Sequence, residues 1–218
     1  MRRESQNQRI DEINEKLYIM TNIVKEQIKG SMQALKLKDE KLAENIIKND
    51  DKVDNLQKVI EEECIKFIAT EQLVAKDLRR VFTASKIVTD LERMADHAID
   101  ICKIVKYVKG TLHPIEIKDL LIMEEKIQNM ITLASKAYSE RDIELAYSIC
   151  KLDDEIDNLY KQTFKYTLLC IKNGENSIEE GTRLLFVAKY LERIGDHVTN
   201  ICEWIIFSKT GEYVDLNI

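Results

Sequence analysis

Apolar residues recur at intervals of three and four along most of the chain, the spacing that gives each α-helix one buried stripe. Ile10, Ile13, Leu17, Met20, Val24, Ile28 and Leu35 trace the first stripe. Leu42, Ile46, Val53, Leu56, Ile60, Cys64 and Phe67 trace a second, and Leu78, Val81, Val88, Leu91, Ala95, Ala98, Cys102 and Val105 a third. Gly110-Thr111-Leu112-His113-Pro114 then interrupts the pattern. Its proline suits a helix start, where the missing N–H would find no partner anyway. The plan then repeats, predicting helices near 115–139, 142–172 and 177–208. Ser177-Ile178-Glu179-Glu180 opens the last of them as a capping box. Strand-like alternation is absent. The expected fold is all-α: two tandem antiparallel three-helix bundles, residues 1–110 and 111–218, packed side by side.

The two halves are copies. Leu91-Glu92-Arg93-Met94-Ala95-Asp96-His97 returns one hundred positions later as Leu191-Glu192-Arg193-Ile194-Gly195-Asp196-His197, and Ile101-Cys102 returns as Ile201-Cys202. Upstream, Asp50-Asp51-Lys52-Val53-Asp54-Asn55-Leu56 matches Asp153-Asp154-Glu155-Ile156-Asp157-Asn158-Leu159 at an offset of 103. The change of offset gives the first half three extra residues between its motifs. They are expected in a connection, where insertions are tolerated.

Each motif carries two carboxylates four residues apart, which on a helix share nearly one face. In an antiparallel hairpin, residues equally far from the turn stand at equal height. The pairs Asp50/Asp54 and Glu92/Asp96 are centred on residue 73, inside the expected turn Thr70-Glu71-Gln72-Leu73. Asp153/Asp157 and Glu192/Asp196 are centred beside Gly174. With each residue advancing about 100°, Asp50 and Asp54 lie roughly 70° to 110° to one side of their stripe. Glu92 and Asp96 lie roughly 60° to 100° to the same side of theirs. Four carboxylates should therefore cluster, once per half. Like charges at helical i, i+4 spacing cost about 0.2–0.5 kcal/mol per pair, so a cluster present in both halves points to a cation site more than to a solvated face.

Oxygen-only ligands favour Mg²⁺, Mn²⁺, Ca²⁺ or iron, divalent or trivalent, in one or several ions per site. The ferritin-like di-metal arrangement needs Glu-x-x-His, whereas His97 follows Glu92 by five residues. His97 and His197 stand equally as outer partners of the acids or as ordinary boundary residues. Arg93 and Arg193 are expected to pair with nearby acids, and Trp204, Ile205, Ile206 and Phe207 to pack the last helix, with a partner surface as the sharper alternative.

Composition narrows the role. The net charge is −6 with both signs interleaved, so no basic field exists to hold nucleic acid. No segment reaches the roughly 18–20 apolar residues that span a bilayer, and the polar start, Met1 to Arg9, is unlike a secretory signal. Five cysteines without a Cys-x-x-Cys pair read as small core residues in a reducing cytoplasm.

Asp77-Leu78-Arg79 ahead of Asp90-Leu91-Glu92-Arg93-Met94-Ala95-Asp96-His97, then Tyr190-Leu191-Glu192-Arg193-Ile194-Gly195-Asp196-His197, resembles the PhoU family of accessory regulators of bacterial phosphate uptake. The resemblance implies paired three-helix bundles whose metal ligands fall on Asp50, Asp54, Glu92, Asp96, Asp153, Asp157, Glu192 and Asp196. It also implies contacts with the ATPase subunit of a phosphate ABC transporter and with a phosphate sensor histidine kinase. The implied role restrains phosphate uptake and phosphate-starvation gene expression when phosphate is ample. A homodimer is expected. Two departures stand out: Leu73 where the family often has proline, and Ala95 where the second half has Gly195. The favoured reading is a non-enzymatic, metal-binding adaptor. The rivals are a metal-dependent phosphohydrolase and a similar regulator serving a sodium–phosphate cotransporter or another transporter.

Overall fold

The computed structural model describes residues 2–108, 114–175 and 177–216. Among these residues there are seven helices and no strand. They are α1 (Arg2–Leu37), α2 (Glu40–Lys48), α3 (Asp51–Thr70), α4 (Ala75–Val105), α5 (Pro114–Glu140), α6 (Ile143–Asn173) and α7 (Ile178–Thr210). The first bundle packs α1 on α2, α3 and α4, and α3 on α4; the second packs α5 on α6 and α7, and α6 on α7. α4 lies against α7, and α1 against α5, so one continuous apolar core runs through both bundles. The stripe from Ile10 to Leu35 is wholly buried. Among the described residues, no helix is long and apolar enough to cross a membrane.

The duplication extends to the corners. Lys38 and Arg141, 103 positions apart, both adopt left-handed backbone, with φ of 54° and 55°. Each precedes an aspartate, Asp39 or Asp142, that caps the next helix by accepting from the backbone N–H three residues on. Gly174 ends α6 in the same left-handed region, which glycine enters without a Cβ clash. Ser177 Oγ accepts from the Glu180 backbone N–H and donates to its carboxylate, so the expected cap forms.

Three expectations need correction. The second predicted helix is two helices, α2 and α3, separated at Asn49-Asp50. Asn49 turns its side-chain amide back onto the Asn45 carbonyl at 2.7 Å, a local bond that competes with the helical ladder. Its counterpart in the continuous α6 is Leu152, which packs against the core instead. The three extra residues are not in a connection: residues 71–74 and 174–177 are equally long, and α4 runs further before Glu92 than α7 does before Glu192. Leu78 is 41% exposed and leaves the stripe to Val81. The break at Gly110 to His113, and with it the expected boundary at 110/111, lies outside the described residues.

Cys64, Cys102, Cys170 and Cys202 are buried and Cys150 is half-buried, none of them in a disulfide. Burial pushes the Cys64 and Cys102 thiols up to about 12, so both behave as small apolar groups.

Candidate functional site

Each hairpin, α3 with α4 and α6 with α7, carries one acidic face. In the first, Asp50 stands in the break before α3, Asp54 in the first turn of α3, and Glu92 and Asp96 midway along α4. All four side chains are half-buried. Burial raises the Asp50 carboxyl most; the charges of Asp54 and Asp96 add to it, and a bond from Gln27 opposes it. Glu92 is raised by burial, then by Asp96, Asp54 and Asp50, against the pull of Arg93. Asp96 is raised by burial and held back by Arg93. Gln27 Nε2 donates to Asp50 Oδ1 at 3.1 Å, and the Arg93 guanidinium lies 3.5 Å from Glu92 and 3.4 Å from Asp96.

The second face is tighter. Asp153 and Asp157 on α6 meet Glu192 and Asp196 on α7. Burial, then the Asp196 charge, push Asp153 up to about 7; Asp157 and Glu192 add to this and the Thr199 hydroxyl opposes it. Thr199 Oγ1 donates to Asp153 Oδ2 at 3.2 Å. Asp196 is raised by burial and then by Glu192, against Lys189. Lys189 Nζ sits 2.5 Å from Glu192, and Lys161 Nζ 3.4 Å from Asp157.

Gly195 explains the closeness of Asp153. A Cβ at position 195 would stand 2.5 Å from Asp153 Oδ1, so glycine lets the carboxylate lean against the α7 backbone. In the first half that place belongs to Ala95, which is buried. The donor chemistry of both faces, oxygen only and charge-rich, fits a hard cation. Among the described residues, no group of three or more His, Cys, Asp or Glu side chains is arranged to hold one ion.

Residues 17–105 and 120–205 each match the PhoU domain family. The chain belongs to the PhoU family. A relative from Clostridium acetobutylicum, called a phosphate-specific transport system accessory protein PhoU homolog, is 45% identical over 95% of this chain and 95% of its own. The crystal structure of the phosphate transport system regulatory protein PhoU from Streptococcus pneumoniae superposes with a TM-score of 0.90 at 31% identity, covering 96% of this chain and 99% of that one. PhoU from Pseudomonas aeruginosa superposes at 0.86 with 27% identity over 94% and 99%.

Within this PhoU fold the charges of Asp50, Asp54, Glu92 and Asp96 act on one another, and so do those of Asp153, Asp157, Glu192 and Asp196. The two histidines go elsewhere. At the crossing of α4 and α7 their rings lie 5.8 Å apart, with His97 stacked on Tyr190 and His197 Nδ1 2.9 Å from Asp90. Burial and the neighbouring His197 hold His97 down to about 4, so it is neutral at neutral pH. Arg93 pairs with its acids as expected. Arg193 makes no ion pair among the described residues, because Lys189, one turn earlier where the first half has Thr89, already covers Glu192. Trp204 packs edge-on against Phe82, Phe207 and Tyr213, joining the last helix to α4 and the C-terminal segment. Sequence reading missed Gln27 and Thr199. Both are polar residues buried on apolar stripes, 6% and 0% exposed, and that interruption was the available signal.

Proposed function

We propose that this PhoU-family protein is a cytoplasmic, metal-binding adaptor that restrains high-affinity phosphate uptake and the phosphate-starvation response when phosphate is ample. Its partners in this reading are the ATPase subunit of a phosphate ABC transporter and a phosphate sensor histidine kinase, with the protein acting as a homodimer. Support comes from the family, from relatives named as accessory proteins of phosphate transport, and from the two acidic faces. The observation that carries the metal assignment is Asp153, held at about 7 among three further carboxylates. A bound hard cation would supply compensating positive charge and tie the two helices of a hairpin together. The chain's own residues set the face: Gly195 admits Asp153, Thr199 orients it, and Lys189 and Lys161 screen the rim.

An adaptor is favoured over a phosphohydrolase because the relatives are named as accessory or regulatory proteins of phosphate transport. Deletion of the gene should raise phosphate uptake and starvation-gene expression at high phosphate; unchanged levels of both would sink the adaptor role. Metal analysis of protein purified without chelator or nickel column should show ions in the wild type and a marked loss in the double variant Glu92→Gln, Glu192→Gln. Equal content in the two would remove the ligand assignment.

A further inference from the structure

Four helices, α1, α4, α5 and α7, meet at one end of the seam between the bundles around a cavity of about 320 Å³, at the lower end of the size range of small-molecule sites. Its floor is apolar, built from Leu17, Ile87, Leu91, Ile131 and Ile201. Its rim is cationic: Arg80, Arg141 and Lys209 face it, with Asp11 on the same lining.

The rim is only partly neutralised from within: the charges of Asp77 and Asp11 act on Arg141, but neither pairs with its guanidinium. Arg80 has an acid of its own, Asp77, at 3.6 Å. Lys209 Nζ spends a donor on the Arg141 carbonyl at 3.1 Å. The Arg141 guanidinium makes no ion pair or hydrogen bond among the described residues. Its left-handed backbone at the α5–α6 corner fixes where the side chain departs. Burial and the facing Arg80 lower its proton affinity, the condition that an anion between the two guanidiniums would relieve. Deeper in, Tyr138 donates its hydroxyl across the seam to Asn14 at 2.8 Å, so this polar group is already satisfied.

The duplication shows that the hole is not a by-product of the fold. The first-half counterparts of Ser135 and Tyr138, 103 positions back, are Met32 and Leu35, which are 1% and 0% exposed. The second-half counterpart of Arg80 is Glu180. At the matching place Met32 fills the space that Ser135 leaves open here; Lys38 stands where Arg141 does, so the charge of the rim differs at Arg80.

We propose that this cavity binds a small organic anion, with an apolar body on the aliphatic floor and a phosphate or carboxylate head between Arg80, Arg141 and Lys209. Because the walls come from both bundles, such a ligand bridges the two repeats and favours whichever relative placement of the bundles keeps the cavity formed.

The test is calorimetric titration of the full chain with phenyl phosphate, hexanoate and inorganic phosphate. At least one of the two organic anions should bind saturably at one per chain, at least tenfold tighter than inorganic phosphate. Phenyl phosphate alone binding assigns a phosphate head, hexanoate alone a carboxylate head. Arg141→Gln, at a half-buried corner, should weaken binding at least tenfold, and Ser135→Phe should abolish it by filling the cavity. Binding should persist in Glu92→Gln with Glu192→Gln, which separates this site from the acidic faces. Two results overturn the proposal: neither organic anion binds more tightly than inorganic phosphate, or binding is unchanged in both Arg141→Gln and Ser135→Phe. If Ser135→Phe does not fold, Arg141→Gln decides alone.

Discussion

The two acidic faces descend from one ancestral motif and have the same four acids, yet their surroundings treat the first aspartate differently. Asp50 stands in a helix break and accepts from a side-chain amide, that of Gln27, with Ala95 at the position that matches Gly195. Asp153 stands within an unbroken helix, leans on Gly195 and accepts from a hydroxyl, that of Thr199. The cationic cover differs as well, Arg93 bridging two acids in the first half and two lysines each taking one acid in the second. The difference teaches that duplication preserves the position of a charge more readily than its proton affinity. Affinity depends on burial, on hydrogen bonds and on charges within about 4–6 Å.

The largest effect tests whether the halves are equivalent beneath their acids. Leu91 and Leu191 occupy matching core positions, 1% and 0% exposed. Leu91→Ala and Leu191→Ala should each cost about 2–5 kcal/mol in urea unfolding. Costs differing several-fold would show that the asymmetry begins in the core.

Next comes pH. Asp153 is raised to about 7 in the folded chain, whereas an unfolded aspartate titrates near ~3.9. The folded state therefore binds more protons between those values, and this group's contribution to stability falls as pH rises through 7. Metal-free protein should melt lower at pH 8 than at pH 5.5 on this account. Asp153→Asn should recover about 1–2 kcal/mol at pH 8 after allowing for solvent screening. Asp50→Asn should recover less; an equal gain would erase the distinction between the faces.

A smaller effect concerns the break. Asn49→Leu restores the residue type found at Leu152 and exchanges a weak helix former for a strong one, worth about 0.5 kcal/mol. Amide protons at 49–52 should then exchange more slowly. Unchanged exchange would mean that the break is imposed by α1 and α4 and not by Asn49.

The smallest energetic change carries the sharpest reading. Gly195→Ala should leave the melting temperature within a few degrees, because only the end of the Asp153 side chain must move. It should also lower the Asp153 proton affinity toward that of Asp50, followed by carboxyl NMR titration. A carboxyl that still titrates near 7 would place the cause in burial by α6 alone.

Much of this was legible in the chain. The stripe from Ile10 to Leu35 gave α1 its buried face, and the offsets of 100 and 103 gave the duplication. Equal height and equal side brought the eight acids into two groups before any coordinates, because helical geometry converts spacing directly into direction. Asn49 against Leu152 was visible too, but whether an asparagine ends a helix depends on what holds the helix at both flanks.

By itself, then, the sequence determined the helices apart from the break at Asn49-Asp50, the pairing of hairpins and the placing of the carboxylates, all of which follow from periodicity within a segment. Only the tertiary structure decided the rest. It set His97 against Tyr190 and His197 against Asp90, gave Glu192 to Lys189 instead of Arg193, held Asp153 near 7, and left a cavity beside Ser135 where Met32 closes the matching place. Each of these depends on atoms from different helices meeting within a few ångströms, and the spacing along one helix does not contain that information.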